Sequence, residues 1–227
     1  MSSGLKLVIF DVDGTLVDSQ SDIVEAMTRA FAAVDRPAPS RSEILGVVGL
    51  SLDVLFPLLA PQDTPAVHRE MAEAYKAAYM DLRARQGVEA SSPLYPGARE
   101  TLDRLQAVPE VLLGIATGKS RRGLDKLIEG HALQGMFQTQ QVADHHPSKP
   151  HPSMILQAMS ETGVAPEDTV MIGDTSFDME MAAAAGVRAI GVRWGYHAEA
   201  RLHRAHWIVT DYAELHSALQ DLWSVAA

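Results

Sequence analysis

Two patterns of apolar positions run along this chain. Residues 5–10, "LKLVIF", are almost wholly apolar and stop abruptly at "DVDGT". A short run of this kind, ended by turn-forming residues, reads as a strand buried on both faces. From about residue 94 onward similar runs recur at 110–117 ("EVLLGIAT"), 136–143 ("MFQTQQVA"), 168–174 ("DTVMIGD"), 187–194 ("VRAIGVRW") and, more weakly, 206–211 ("HWIVTD"). Helical stretches lie between them, among them 121–129, 152–161 and 177–185. Strands alternating with helices predict a parallel sheet covered by helices, with the opening strand in the same sheet.

Residues 18–92 break this alternation, because they carry apolar residues at helical intervals and no convincing strand. Within 64–86, Val67, Met71, Ala74, Ala78 and Leu82 fall along one helix face, and Pro65 suits the first turn. The segment reads as an all-helical insertion. Its return point is "SSPLYPGA" (91–98), where two prolines and a glycine punctuate the chain. No internal repeat is visible.

Composition narrows the class of protein. The chain has 227 residues, about one and a half times the usual ~150 of a domain, which predicts one large domain or one with an insertion. With 47% hydrophobic and 21% charged residues it can bury a substantial core. A net charge of −10 argues against nucleic-acid binding through a basic surface, so any anionic ligand must be met locally, by a metal or a few placed donors. The absence of cysteine rules out disulfides, thiolate zinc sites and cysteine nucleophiles. The first residues show no signal pattern, and no apolar run approaches the ~18 residues needed to span a bilayer. A soluble cytoplasmic protein without membrane partners is expected.

The candidate chemistry sits where the apolar runs end. Asp11 and Asp13 flank a single valine just past the first strand, in the crevice where open α/β sheets bind ligands. Two such carboxylates repel, and a hard divalent cation such as Mg²⁺ would hold them; the plainer reading is a strand-end cap and an Asp-Gly turn. Thr117 and Gly118 in "IATGKS" offer a hydroxyl and an unhindered backbone N–H to a phosphate oxygen, or else a simple helix cap. Lys149 stands among prolines in "HHPSKPHPS", aimed inward by a stiff loop or merely solvated. Asp174 ends a strand, and Asp178 opens the following helix, where aspartate is ordinarily a cap.

Taken in order, "DVDGTLVDS", "ATGKS", "SKPHP" and "GDTSFDM" resemble the four motifs of the haloacid dehalogenase superfamily, and the likeness runs over essentially the whole chain. Within it, the chain is most similar to the phosphoglycolate phosphatase type, whose helical cap lies between the first and second motifs. The resemblance implies an α/β fold with a Rossmann-like parallel sheet core and an inserted all-helical cap domain. The core would comprise 1–17 and 93–227, and the cap 18–92. It also implies neighbouring first and fourth motif strands, which would bring Asp174 and Asp178 beside Asp11 and Asp13.

Carried over, the resemblance makes Asp11 the nucleophile that forms an aspartyl-phosphate, and Asp13 the general acid and base. Mg²⁺ would be held by the Asp11 carboxylate, the Asp13 backbone carbonyl and Asp174, with Asp178 behind them. Thr117 and the Gly118 N–H would hold the phosphoryl group, and Lys149 would neutralise it. The implied substrate is a small phosphorylated metabolite. The superfamily's dehalogenases lack an aspartate at the position of Asp13, since a halide leaving group needs no proton, so phosphatase chemistry is favoured. Phosphonate-cleaving relatives use a cap lysine, and the cap here offers only Lys76. A β-phosphoglucomutase-like phosphosugar mutase shares the core motifs and is the enzymatic alternative; a catalytically silent binding protein of the same fold is the other.

Further features take ordinary readings. His145 and His146 are expected in a surface loop, and His197, His203 and His206 at solvent-facing positions. Met154, Met159, Met171, Met179 and Met181 are expected as core fillers. "GVVGLSLDVLF" (46–56) resembles the cap loop that reaches toward the active site, and "GVRWGYH" (191–197) a segment after the fifth strand to which no catalytic role attaches. Arg41, Arg83 and Arg85 are candidates to meet a substrate carboxylate, although exposed arginines on helices are commonplace. Oligomeric state is not indicated.

Overall fold

A computed structural model describes residues 4–223. Six parallel strands form one sheet, in the order β3-β2-β1-β4-β5-β6. They are β1 (Lys6–Phe10), β2 (Val111–Thr117), β3 (Thr139–Val142), β4 (Thr169–Gly173), β5 (Arg188–Val192) and β6 (Trp207–Val209). The chain steps outward from β1 through β2 to β3, then returns to place β4 on the other side of β1. That reversal makes the crevice beyond β1 and β4 the topological switch point where such sheets bind ligands.

β1 alternates its side chains between two cores, as strand geometry requires. Val8 and Phe10 face one apolar cluster with Leu113, Ile115, Val170 and Ile172, covered by α6 (Ala98–Gln106), α7 (Arg121–Gly130) and α10 (Tyr212–Leu222). Leu7 and Ile9 face the other, with Met171, under α8 (Ser153–Thr162) and α9 (Ser176–Ala185). Met154, Met159, Met179 and Met181 all pack there as core fillers. Some strands are shorter than their apolar runs. The run 136–143 pairs only over β3, because Met136 and Phe137 turn into the first cluster instead; 206–211 narrows to the three residues of β6.

Between β1 and α6 the chain forms α1 (Gln20–Ala32), α2 (Arg41–Leu45), α3 (Leu52–Leu59), α4 (Pro65–Gln86) and α5 (Val88–Ser91). Pro65 takes the first helical position of α4, and the Thr64 side chain caps it by accepting from the Val67 N–H. α1 packs along α4. Their apolar faces close a third cluster that includes Ile23, Met27, Phe31, Phe56 and Met71. The two crossings of this helical insert lie side by side: the Asp18 N–H donates to the Pro93 carbonyl at 2.9 Å, and the Tyr95 N–H to the Leu16 carbonyl at 3.0 Å. Among the described residues no helix is long and apolar enough to cross a membrane.

Candidate active site

The C-terminal ends of β1, β2 and β4 deliver the motif residues to one place. The Asp11 N–H donates to the Ile172 carbonyl at 2.9 Å, so the sheet ladder itself fixes the backbone of Asp11 beside β4. Its carboxylate is fully buried, and Oδ1 accepts from Lys149 Nζ at 2.8 Å. The same ammonium donates to Asp178 Oδ1 at 2.6 Å, and Lys149 is itself buried. The solvated alternative for this lysine is therefore wrong; its loop carries it in to Asp11 and Asp178.

Asp178 serves two roles on two oxygens. Oδ2 accepts from the Thr175 N–H (3.0 Å) and hydroxyl (2.6 Å), while the Thr175 hydroxyl caps the Asp178 N–H, which makes a capping box at the start of α9. Oδ1 is left for Lys149. Asp174 is held equally firmly, by the Thr15 hydroxyl on Oδ1 (3.0 Å) and the Tyr196 N–H on Oδ2 (2.8 Å). Gly14 lies against it with φ +85°, and a Cβ there would run into the Asp174 carboxylate.

Asp13 stands apart from this group. Its Oδ1 accepts from the Ser19 hydroxyl and pairs with Lys119 Nζ at 2.7 Å. Thr117 is buried, and its hydroxyl accepts from the Lys119 N–H at 3.2 Å. Gly118 packs so tightly under the helical insert that a Cβ would lie 2.6 Å from the Gly49 carbonyl oxygen. A cavity of about 1380 Å³ opens over Asp11, Asp13, Thr117 and Gly118, and is roofed by residues 47–52 and by α4.

Charge at the floor of this cavity is unbalanced. Burial pushes the Asp174 carboxyl well up, and the Asp11 and Asp178 charges add to the push. Burial also raises Asp11; Lys149 opposes that shift, and Asp178 and Asp13 reinforce it. Burial works against the charge on Lys149, but Asp11 and Asp178 outweigh it and keep the ammonium charged. Oxygens of Asp11, Asp174 and Asp178 lie within 4.8 Å of one another, and Asp11 Oδ2 is buried without a hydrogen-bond partner among the described residues. Ionised together, three carboxylates against one ammonium would leave two negative charges, which a divalent cation would cancel, relieving the upward push on Asp11 and Asp174. The all-oxygen donor set suits a hard ion.

Residues 8–192 match the family profile described as "Haloacid dehalogenase-like hydrolase". The chain belongs to this family. It is 35% identical over 225 residues to a protein of Dickeya dadantii named probable phosphatase IndB, covering 97% of this chain and 96% of that one. A phosphoglycolate phosphatase of Pseudomonas putida is 32% identical over 195 residues, covering 85% of this chain and 71% of the relative. A haloacid dehalogenase-like hydrolase structure from Streptococcus pneumoniae superposes with a TM-score of 0.81 at 26% identity, covering 96% of this chain and all of that one. A β-phosphoglucomutase from Clostridium difficile shares the fold, with a TM-score of 0.82 at 18% identity and 96% of each chain covered.

Several features of this hydrolase escaped sequence reasoning. Lys119, paired with Asp13, follows Thr117 and Gly118 directly, but no sequence signal singled it out. The "GVRWGYH" segment has a definite place: the Tyr196 N–H holds Asp174, and Trp194 Nε1 donates to the Thr15 carbonyl at 3.0 Å. His197 is a correction. It is buried, with Nδ1 accepting from the Ser176 N–H and Nε2 bonded to the Gly46 carbonyl, both at 3.1 Å, so it ties the insert's loop to α9. His203 and His206 are exposed, as is His145. His146 is half-buried and bonded to Gln141 and Ser153. Lys76 is exposed and paired with Glu73.

Proposed function

We propose that this hydrolase is a Mg²⁺-dependent phosphatase of small phosphate monoesters, with phosphoglycolate as the first candidate substrate, working through an aspartyl-phosphate on Asp11. The observation that carries the reading is Asp13. A second carboxylate, separate from the Asp11–Asp174–Asp178 group and facing the same cavity, is what an ester needs and a halide does not.

In this scheme the Asp11 carboxylate attacks phosphorus as the ester P–O bond breaks. The departing oxygen takes a proton from Asp13. Asp13 then accepts a proton from water as the water oxygen attacks phosphorus, and the P–O bond to Asp11 breaks to release phosphate. Lys149 offsets charge on Asp11 throughout; Thr117 and the Gly118 N–H hold the phosphoryl oxygens. Asp11 and Asp174, with the Asp13 carbonyl and with Asp178 behind, would hold Mg²⁺. When bound, that ion would offset the negative charge of the carboxylates and the phosphoryl group. Residues 18–92 act as the cap over a core of 1–17 and 93–227, excluding bulky esters, and the substrate is a soluble metabolite of the cytoplasm.

The test is a panel of phosphate monoesters, glucose phosphates included, assayed with Mg²⁺ and with a chelator. Phosphate release from small esters that needs Mg²⁺ is expected. Isomerised sugar without net phosphate release would replace the hydrolase by a mutase, and no turnover of any ester would leave a silent binding protein.

A further inference from the structure

The helical insert brings to the cavity the guanidinium of Arg83, which has no ion pair among the described residues. Of the three arginines singled out in the sequence, Arg41 is exposed and donates to Gln20, and Arg85 is exposed and pairs with Asp81 at 2.9 Å. Arg83 differs from both. It lines the cavity that also holds Asp11, Asp13 and Lys119. Its Nη1 donates to the Gly123 carbonyl at 3.1 Å, which leaves the rest of the guanidinium to be accounted for.

Arg83 Nε and Nη2 are shut off from solvent and have no hydrogen-bond partner among the described residues. Such buried donors are rare and costly, and each calls for an acceptor. These two are also the pair on one edge of the guanidinium, whose N–H bonds run parallel. That edge matches the two oxygens of a carboxylate. The Tyr79 ring fixes its setting: the guanidinium carbon lies 4.9 Å from the ring centroid, and Lys119 Nζ lies 5.1 Å from the same centroid. Two cations around one ring, only one of them paired with a carboxylate, make this side of the cavity locally positive in an acidic protein.

We infer that Arg83 is the specificity determinant of this cavity, and that its Nε and Nη2 bind a carboxylate carried by the leaving group of the phosphate ester. The inference rests on the phosphatase reading and deepens it: the substrates are phosphate esters of short hydroxy acids, not of neutral alcohols or amino alcohols. The contact is the same before and during phosphoryl transfer, so it acts on KM more than on kcat.

The experiment compares phosphoglycolate with ethyl phosphate, a neutral ester of the same length, and with phosphoethanolamine, which reverses the charge. Wild-type protein is expected to prefer them in that order. Arg83→Gln should lower the preference for phosphoglycolate over ethyl phosphate by about 10- to 100-fold, the range of a hydrogen-bonded charge contact, with the loss in KM. Arg83→Lys should restore part of it, since the charge returns without the fork. Arg85→Gln should leave the ratio unchanged. Equal losses on both esters would make Arg83 a tie between α4 and Gly123 and overturn the inference, as would a wild-type protein with no preference. If no ester is hydrolysed at all, the phosphatase reading fails by itself. Calorimetric titration of phosphoglycolate and ethyl phosphate into Asp11→Asn and Asp11→Asn/Arg83→Gln proteins then still decides Arg83, whose removal must weaken the first ligand selectively.

Discussion

The floor and the roof of the cavity are built on opposite terms. At the strand ends, charged groups are buried and nearly every polar atom has an assigned partner: Asp178 divides its oxygens between Thr175 and Lys149, and Asp174 between Thr15 and Tyr196. The helical insert above is held by an ordinary apolar cluster around Phe31, Phe56 and Met71. A packed apolar cluster tolerates exchange of side chains of similar volume, whereas a buried charge network fails when one member is removed. The floor is thus suited to fix a reaction, and the roof to choose among molecules that undergo it.

The largest effect should follow from breaking the floor. Asp11→Asn keeps the shape of the side chain and the Lys149 contact but removes the attacking oxygen's charge. Turnover of an aryl phosphate is expected to fall about 10³-fold or more, while the thermal midpoint holds, because one buried negative charge has been removed from an excess. Activity above a few per cent of wild type would end the assignment of Asp11 as nucleophile.

Asp13→Asn should come next, with a loss in the range of about 10²–10⁴ that general acid–base groups supply. Its signature is selectivity for the leaving group. An activated aryl oxygen departs with little protonation, so single-turnover formation of the phospho-enzyme should suffer less for an aryl ester than for an alkyl one. Equal losses on the two esters would instead mean that Asp13 serves to place Lys119, to which it is paired at 2.7 Å.

The same contrast explains what the sequence disclosed. The floor was legible in pieces because its signals are local: Asp11 and Asp174 each end an apolar strand, and Asp178 opens a helix, where aspartate is ordinarily a cap; that the two strands are neighbours came from the family resemblance and not from spacing. That Asp178 also holds Lys149 was beyond spacing, since a carboxylate's second oxygen leaves no mark in the chain. The Tyr196 backbone N–H on Asp174 is invisible for the same reason: any residue carries that donor. His197 was misjudged because the Arg- and Ala-rich segment after it reads as surface, while its burial comes from Gly46, a residue of the insert. In α4, the helix face was readable from Met71, Ala78 and Leu82, but the phase of Arg83 relative to Arg85 mattered only once α7 lay beside it.

Where floor and roof touch, a smaller effect is expected. Gly118→Ala keeps the backbone N–H but brings a methyl to 2.6 Å from the Gly49 carbonyl oxygen and 3.0 Å from its carbon. Both atoms are backbone, so the roof loop must shift as a unit. Overpacking of this kind costs about 1–3 kcal/mol, and a displaced roof should raise KM for small esters about tenfold while changing kcat less. An unaltered KM would show that the loop yields without consequence for the ligand.

The smallest effect concerns His197, which ties the roof loop to the start of α9. Nδ1 of His197 accepts from the Ser176 N–H, so it carries no proton there, and Nε2 is left to donate to the Gly46 carbonyl. Protonation would set two N–H groups against each other. Burial pulls the His197 pKa down to about 4, nearby Arg201 adds to this, and the Gly46 contact and the more distant Asp178 charge work against it. The unfolded chain therefore takes up a proton near the ordinary histidine value of ~6.5, while the folded one resists until about pH 4. Stability contributed by the neutral ring is present above that ordinary value and is lost as pH falls through this window. Glutamine can make both contacts without titrating. Between pH 7.5 and 5, His197→Gln should therefore lose about 1–2 kcal/mol less unfolding free energy than wild type, read from urea midpoints. Parallel losses in the two proteins would place the acid sensitivity in the carboxylates of the floor, and would leave His197 a tie that pH does not reach.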